Sequence, residues 1–186
     1  MDWYVVDKKY INYLTQFDSR VGYVEYGERL KLHVGILLTI GDFHYYVPIS
    51  SAKPKHQKMS NSLDFHKLQD ESTGYLYAVL NINNMIPVPD NCLTQLKYNQ
   101  VESFRSFSNE KERIDYIYLL QKEKALIDNV QDSLQNKAMK LYQKCIAKPD
   151  SSLAARCCDF KMLEEKCTCI PFIHLYPTCG LFYPLV

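Results

Sequence analysis

Residues 31–59 read KLHVGILLTIGDFHYYVPISSAKPKHQKM, and this stretch decides the fold. Residues 34–40 are an apolar, β-branched run. Gly41 and Asp42 interrupt it, and residues 43–49 form a second run rich in aromatic and branched side chains. Two such runs joined by a two-residue break containing glycine predict a β-hairpin. Directly after the second run come Ser50, Ser51, Lys53, Lys55, His56 and Lys58. Hydroxyls, lysines and a histidine thus leave a rigid strand together on one expected loop, a common way to mount a reactive site on a scaffold.

Working outward, residues 3–6 predict a short strand and Asp7 a helix cap. The helix then runs over residues 8–17, with Ile11 and Leu14 on one face. Residues 18–29 are polar with two glycines and read as a loop. Beyond the hairpin, residues 65–68 and 75–82 are β-rich, separated by the Thr73–Gly74 turn signal. Residues 85–89 carry Pro87 and Pro89 and fit only an edge strand or extended segment. From Asn109 the pattern turns helical, with Glu112 three residues after the cap. It weakens near Asp128, and resumes through Val130, Leu134, Ala138, Leu141 and Cys145. Asp159 is placed to cap a final short helix through Lys166.

Composition narrows the function. The chain of 186 residues has a net charge of +1, so overall charge does not single out nucleic acid. Local charge does more: residues 51–69 hold Lys53, Lys55, Lys58 and Lys67 against Asp64, a net +3, with His56 and His66 added. The plain alternative is a solvated basic loop. The N-terminal residues lack a basic segment followed by an apolar core, and no uncharged apolar run is long enough to cross a membrane, so a cytoplasmic location is expected. Of seven cysteines, six lie at or beyond Cys145, and reduced thiols are expected. The spacing of Cys157, Cys158, Cys167, Cys169, His174 and Cys179 is not that of paired C-x-x-C zinc ligands. Walker, G-x-S-x-G and H-E-x-x-H motifs are lacking.

The hairpin followed by hydroxyl-Ser-x-Lys-x-x-His resembles the type III toxin–antitoxin endoribonucleases of the ToxN/AbiQ group. So do Tyr10-Ile11-x-Tyr13-Leu14 with Phe17-Asp18, Met85-Ile86-Pro87-Val88, and Phe160-x-x-Leu163-Glu164-Glu165-Lys166, in that order. The resemblance implies an α+β fold: a compact, strongly bent antiparallel β-barrel core of Kid/MazF (SH3-like) type, with added helices that are mostly C-terminal. It covers residues 1–166 as one toxin domain. Residues 167–186, apolar and rich in cysteine and proline, fall beyond the pattern and have no assigned role.

By resemblance the catalytic set is Ser50, Ser51, Lys53 and Lys31, with Tyr26 as the nearest match to a family tyrosine. Ser50 stands where the family commonly has threonine. Lys55, His56 and Lys58 are expected to bind RNA. The implied activity is metal-independent, sequence-selective RNA cleavage that leaves 2′,3′-cyclic phosphate and 5′-hydroxyl ends, with no cofactor. The implied partners are a repeated pseudoknot antitoxin RNA in a ring-like assembly, and cellular and phage RNA as substrates in abortive infection. Two other readings stand beside it: a non-catalytic RNA-binding module using the same basic loop, and a protein-interaction domain using the apolar tail. Ser51 and Lys53 separate the first two, because only an enzyme needs them specifically.

Overall fold

The structure is a computed structural model that describes residues 1–22 and 31–169. Its centre is a hairpin of β2 (His33–Ile40) and β3 (Phe43–Ser51), paired from Ile40↔Phe43 back to His33↔Pro48. Gly41 makes the turn at φ +55°, a conformation open to glycine at little cost. The register shifts between Val34 and Leu38. Gly35 lies within this irregular segment, against the Tyr46 ring; a Cβ there would fall 2.1 Å from a ring carbon. Only glycine lets the two strands approach this closely.

β1 (Asp2–Val6) adds to the outer edge of β2 and hands on to β7 (Leu93–Gln95). On its other edge β3 divides its partners. Tyr45 and Tyr46 pair with β6 (Ile86–Pro87), while Ile49, Ser50 and Ser51 pair with β5 (Leu76–Leu80), which in turn carries β4 (His66–Gln69). All these pairings are antiparallel. The seven strands form one sheet in the order β4-β5-β3-β2-β1-β7, with β6 alongside β3. The expected barrel does not close: among the described residues no pairing joins β4 to β7. The terminal strands, of four and three residues, offer little ladder for closure.

Helices cover the sheet. α1 (Lys8–Thr15) is capped by Asp7, whose Oδ1 accepts from Lys9 N at 2.7 Å; it buries Tyr10, Ile11 and Leu14. The Tyr10 hydroxyl donates to Pro87 O at 2.6 Å and so holds the edge segment β6. A short α2 (Pro54–Gln57) follows β3 directly. α3 (Glu110–Asn129) begins at Asn109, which accepts from Glu112 N at 2.9 Å. Val130 breaks the helical course, and α4 (Gln131–Ala147) continues with Leu134, Ala138, Leu141, Tyr142 and Cys145 inward. A single turn, α5 (Ser152–Ala155), leads to α6 (Phe160–Thr168), which Asp159 caps by accepting from Met162 N at 3.1 Å. α3 packs against β4 and β5, α4 against β2, and α6 against β6. The core is continuous across these layers, from Trp3 and Leu14 through Leu37 and Tyr45 to Leu134 and Phe160. Among the described residues no helix is long and apolar enough to cross a membrane. Apart from Cys167, Thr168 and Cys169, the 167–186 segment lies outside the described residues.

Candidate active site

The polar sequence after the hairpin lies where β3 ends, and its geometry departs from a simple loop. β3 runs through both serines: Ser50 pairs with Val79 and Ser51 with Ala78. Successive side chains of a strand point to opposite faces. Ser50 and Ser51 therefore cannot converge side by side as a loop would allow. The Ser50 hydroxyl accepts from Asn81 Nδ2 at 3.2 Å. Ser51 is exposed and, with Ile49 two residues earlier on the same face, lines a cleft of about 310 Å³. Its other walls include Arg105, Tyr116, Leu120 and Glu123.

Two residues on, Lys53 starts α2 as an exposed residue in extended conformation. Its backbone is fixed by His56, whose Nδ1 accepts from Lys53 N at 3.1 Å. The His56 ring is buried and tilts against Phe65, with centroids 5.8 Å apart. Burial first, then the charges of Lys55 and Lys53, push its pKa down, which keeps the ring neutral and able to accept. This corrects the expectation of an RNA-contacting histidine: His56 is turned inward and sets the direction in which Lys53 leaves the strand. Lys55 and Lys58 are exposed on the outer side of the same turn.

Lys31 approaches from the other strand. Ile49 N donates to Leu32 O at 3.1 Å, and continuing the His33↔Pro48 register places Lys31 level with Ser50. The half-buried Lys31 packs against Gly22, where a Cβ would fall 2.2 Å from Nζ. Burial lowers its pKa, so its ammonium gives up a proton more readily than a surface lysine. The neighbouring His33 is fully enclosed; burial, then the charge of Lys31, drives it down to about 3 and leaves it neutral. The fold thus gathers Lys31, Ser50, Ser51 and Lys53 at one end of the hairpin. Tyr26 lies outside the described residues.

Three cleft residues were not singled out in the sequence: Arg105, Tyr116 and Glu123. Arg105 lies over the Tyr116 ring at 4.5 Å from its centroid, and its Nη2 donates to Glu112 Oε1 at 2.7 Å. Glu123 had a legible signal. It occupies a buried stripe of α3 with Leu120 and Ile127, an acid where the helical period calls for an apolar residue. Among the described residues no group of three histidine, cysteine or acidic side chains is arranged to hold a metal ion.

The chain has counterparts of known kind. Residues 2–168 match the family model described as toxin ToxN of the type III toxin–antitoxin system. The endoribonuclease AbiQ of Lactococcus lactis subsp. lactis is 29% identical over 175 residues, spanning 89% of this chain and 87% of that protein. The endoribonuclease ToxN of Bacillus thuringiensis subsp. kurstaki is 28% identical over 172 residues, spanning 89% and 81%. A solved structure of AbiQ, a lactococcal anti-phage endoribonuclease of the type III system, superposes with a TM-score of 0.76 at 27% identity, covering 92% of this chain and 98% of that one. Another, from work on selective toxin inhibition by a non-coding RNA pseudoknot, gives 0.76 at 28% identity, covering 90% and 95%. With the match running from β1 through α6, the chain belongs to the ToxN family of type III toxin–antitoxin toxins.

Proposed function

We propose that this chain is a sequence-selective endoribonuclease toxin, restrained by a repeated pseudoknot RNA antitoxin and acting in phage defence by abortive infection. The observation that carries the reading is that Lys31, Ser50, Ser51 and Lys53 are gathered at one end of the hairpin, within a match spanning 2–168. Its core is a bent sheet of Kid/MazF type left open at its ends, a shape favoured by the register shift in β2 and the division of β3 between β6 and β5. Cellular and phage RNAs as substrates imply work in the cytoplasm. A ring-like assembly with the antitoxin RNA accords with the open basic rim at Lys55 and Lys58.

RNA carries its own nucleophile. The 2′-oxygen attacks phosphorus and the P–O5′ bond breaks, so a proton must leave O2′ and another must reach O5′. The products are a 2′,3′-cyclic phosphate and a 5′-hydroxyl. Lys31, its pKa lowered by burial, gives up a proton more readily than a surface lysine and is the group proposed to move one. Lys53 and the Ser51 hydroxyl are donors at the place where the phosphorane oxygens gain charge, and such pre-set donors are often the largest catalytic contribution. Ser50, held by Asn81, orients the strand end. Tyr26 remains a proposed member of the set. These steps call on no cofactor and no metal.

Ser51→Ala and Lys53→Ala should each slow cleavage about a hundredfold or more without unfolding the protein. The assay is cleavage of mixed-sequence RNA in excess chelator, with circular dichroism as the folding control. Wild-type cleavage that disappears in chelator and returns with magnesium overturns the metal-independent scheme. Full activity of either variant overturns the site.

A further inference from the structure

The cleft beside Ser51 holds more than RNA backbone chemistry requires. Phosphate binding calls for cations and hydroxyls, yet this cleft pairs an aromatic ring, Tyr116, with apolar walls at Ile49 and Leu120 and a buried acid, Glu123. Glu123 is only 5% exposed. An acid in an RNA enzyme repels phosphate, so its use has to be toward something else. Single-stranded RNA is read by stacking bases on aromatic or guanidinium planes and by hydrogen bonding their Watson–Crick edges. Tyr116, with Arg105 over its face, supplies the first, and Glu123 the second.

We propose that this cleft is a nucleobase subsite next to the scissile phosphate, in which Glu123 reads the donor–acceptor edge shared by adenine and cytosine. The inference rests on the endoribonuclease reading above, because Ser51 is what ties the cleft to the cut. A neutral carboxyl donates through O–H to adenine N1 or cytosine N3 and accepts from the exocyclic amino group. An ionised one only accepts and matches guanine, which offers N1–H and an amino group. Burial pushes the Glu123 carboxyl up to about 7, with no charged neighbour among the causes. The polar and charged groups that line the same cleft are Arg105 from the segment before α3, Tyr116 on α3 itself, and Ser51 from β3. Base preference should therefore depend on pH.

The test uses the full chain, with Glu123→Gln and Glu123→Met. Glutamine keeps a donor beside an acceptor but cannot ionise; methionine keeps the volume and loses both. Binding of short 2′-O-methyl oligouridines carrying one guest base is followed by fluorescence anisotropy at about pH 6 and about pH 8, either side of the Glu123 midpoint. Wild type should favour adenine or cytosine guests over guanine and uridine by about tenfold at the lower pH, since a good bidentate pair discriminates on this scale. The preference should shift toward guanine at the higher pH. Glu123→Gln should keep the first preference at both pH values, and Glu123→Met should have none. The ratio between adenine and cytosine guests names the base. A wild-type preference that is absent or indifferent to pH overturns the proposal. So does an unchanged preference in Glu123→Met, or a wild-type-like pH response in Glu123→Gln. In parallel, cut sites are mapped on a randomised RNA. Loss of all cutting with the binding preference intact removes the nuclease reading and leaves the subsite standing.

Discussion

A buried carboxylate, Glu164 on α6, fastens the C-terminal helices to the central strand, and removing it should cost a large part of the protein's stability. Its Oε1 accepts from the Tyr45 hydroxyl at 2.8 Å and from the Tyr142 hydroxyl at 2.7 Å, while Oε2 accepts from Lys161 Nζ at 2.9 Å. Glu164 is 5% exposed, Tyr45 is 0% and Tyr142 is 6%. A hydrogen bond to a charged group is worth about 1.5–3 kcal/mol net, and orphaning a buried donor costs about 1–3 kcal/mol. Glu164→Leu removes the acceptor of two phenols. The Tyr45 hydroxyl keeps only a 3.4 Å contact to Phe160 O. Desolvation of the carboxylate, which the leucine variant is spared, offsets part of the loss. The net expectation is about 4 kcal/mol, against a total on the order of 5–15 kcal/mol for a domain. With a urea slope of about 2 kcal/mol per molar, the midpoint falls by roughly 2 M. The diagnostic is the triple variant. Adding Tyr45→Phe and Tyr142→Phe to Glu164→Leu removes the stranded Tyr45 hydroxyl and the Tyr142 hydroxyl left with Lys161 alone, and should regain about 2 kcal/mol, because apolar replacement of both partners is far cheaper than leaving one unpaired. Urea unfolding followed by far-ultraviolet circular dichroism gives all the midpoints. A triple variant no more stable than Glu164→Leu alone refutes the account, since the cost would then lie in packing rather than in unmet hydrogen bonds.

Other outcomes follow from the site. His56→Ala should lower stability by about 1 kcal/mol, the usual worth of a lost cap, and slow cleavage while leaving RNA affinity nearly unchanged. His56→Asn, which can still accept from Lys53 N, should recover part of both; equal rates for wild type and alanine variant count against a positioning role. Glu123 makes the fold pH-dependent. Its pKa is raised from the ordinary 4.5 to about 7, so its neutral form favours folding below about pH 4.5, and that advantage is lost as pH rises through about 7. Glu123→Gln should thus unfold at higher urea than wild type at about pH 8, by up to about 3 kcal/mol, and lose that gain near pH 4; an equal gain at both pH values contradicts the assignment. Lys55→Glu should weaken antitoxin RNA binding and reduce the dependence of affinity on salt by about 0.7 per lost phosphate contact; an unchanged slope in filter binding places the RNA elsewhere.

The hairpin, α1, α3, α4 and α6 were legible because each announces itself locally. Gly41–Asp42 breaks two β runs, Asp7, Asn109 and Asp159 are capping residues, and α4 keeps a regular apolar stripe from Leu134 to Cys145. β7 was missed because Leu93, Thr94 and Gln95 have no pattern of their own; β1 makes them a strand by pairing. The open sheet was hidden for a related reason, since closure depends on which short strands find partners at a distance. At the site, residue types were readable and direction was not. Ser50 and Ser51 look interchangeable as letters, and only the pairing with Val79 and Ala78 shows that they face opposite ways. His56 looks like an RNA ligand among lysines until Phe65 and the Lys53 amide claim its two sides. Glu123 was the reverse case: a charge on an apolar stripe reads as a surface residue unless the helix period is applied strictly.

The two ends of β3 divide the labour between stability and chemistry. At Tyr45 and Tyr46 the strand is flanked by β2 and β6, and Tyr45 is tied to α6 through Glu164. At Ser50 and Ser51 the strand pairs with β5, β2 has not yet begun, and Lys31, just before β2, lies level with Ser50. A strand is stiff along its length, so a side chain at its exposed end inherits position from contacts several residues away without being buried by them. That argues for separable perturbations. Variants at Tyr45, Tyr142 or Glu164 should lower the unfolding midpoint and leave the cleavage rate of the folded fraction near wild type. Variants at Ser51 or Lys53 should do the opposite. The decisive comparison is the rate per folded molecule for Tyr45→Phe at a temperature well below its transition. A rate reduced as far as that of Ser51→Ala would mean that the interior end of β3 tunes the site directly, and the division would fail.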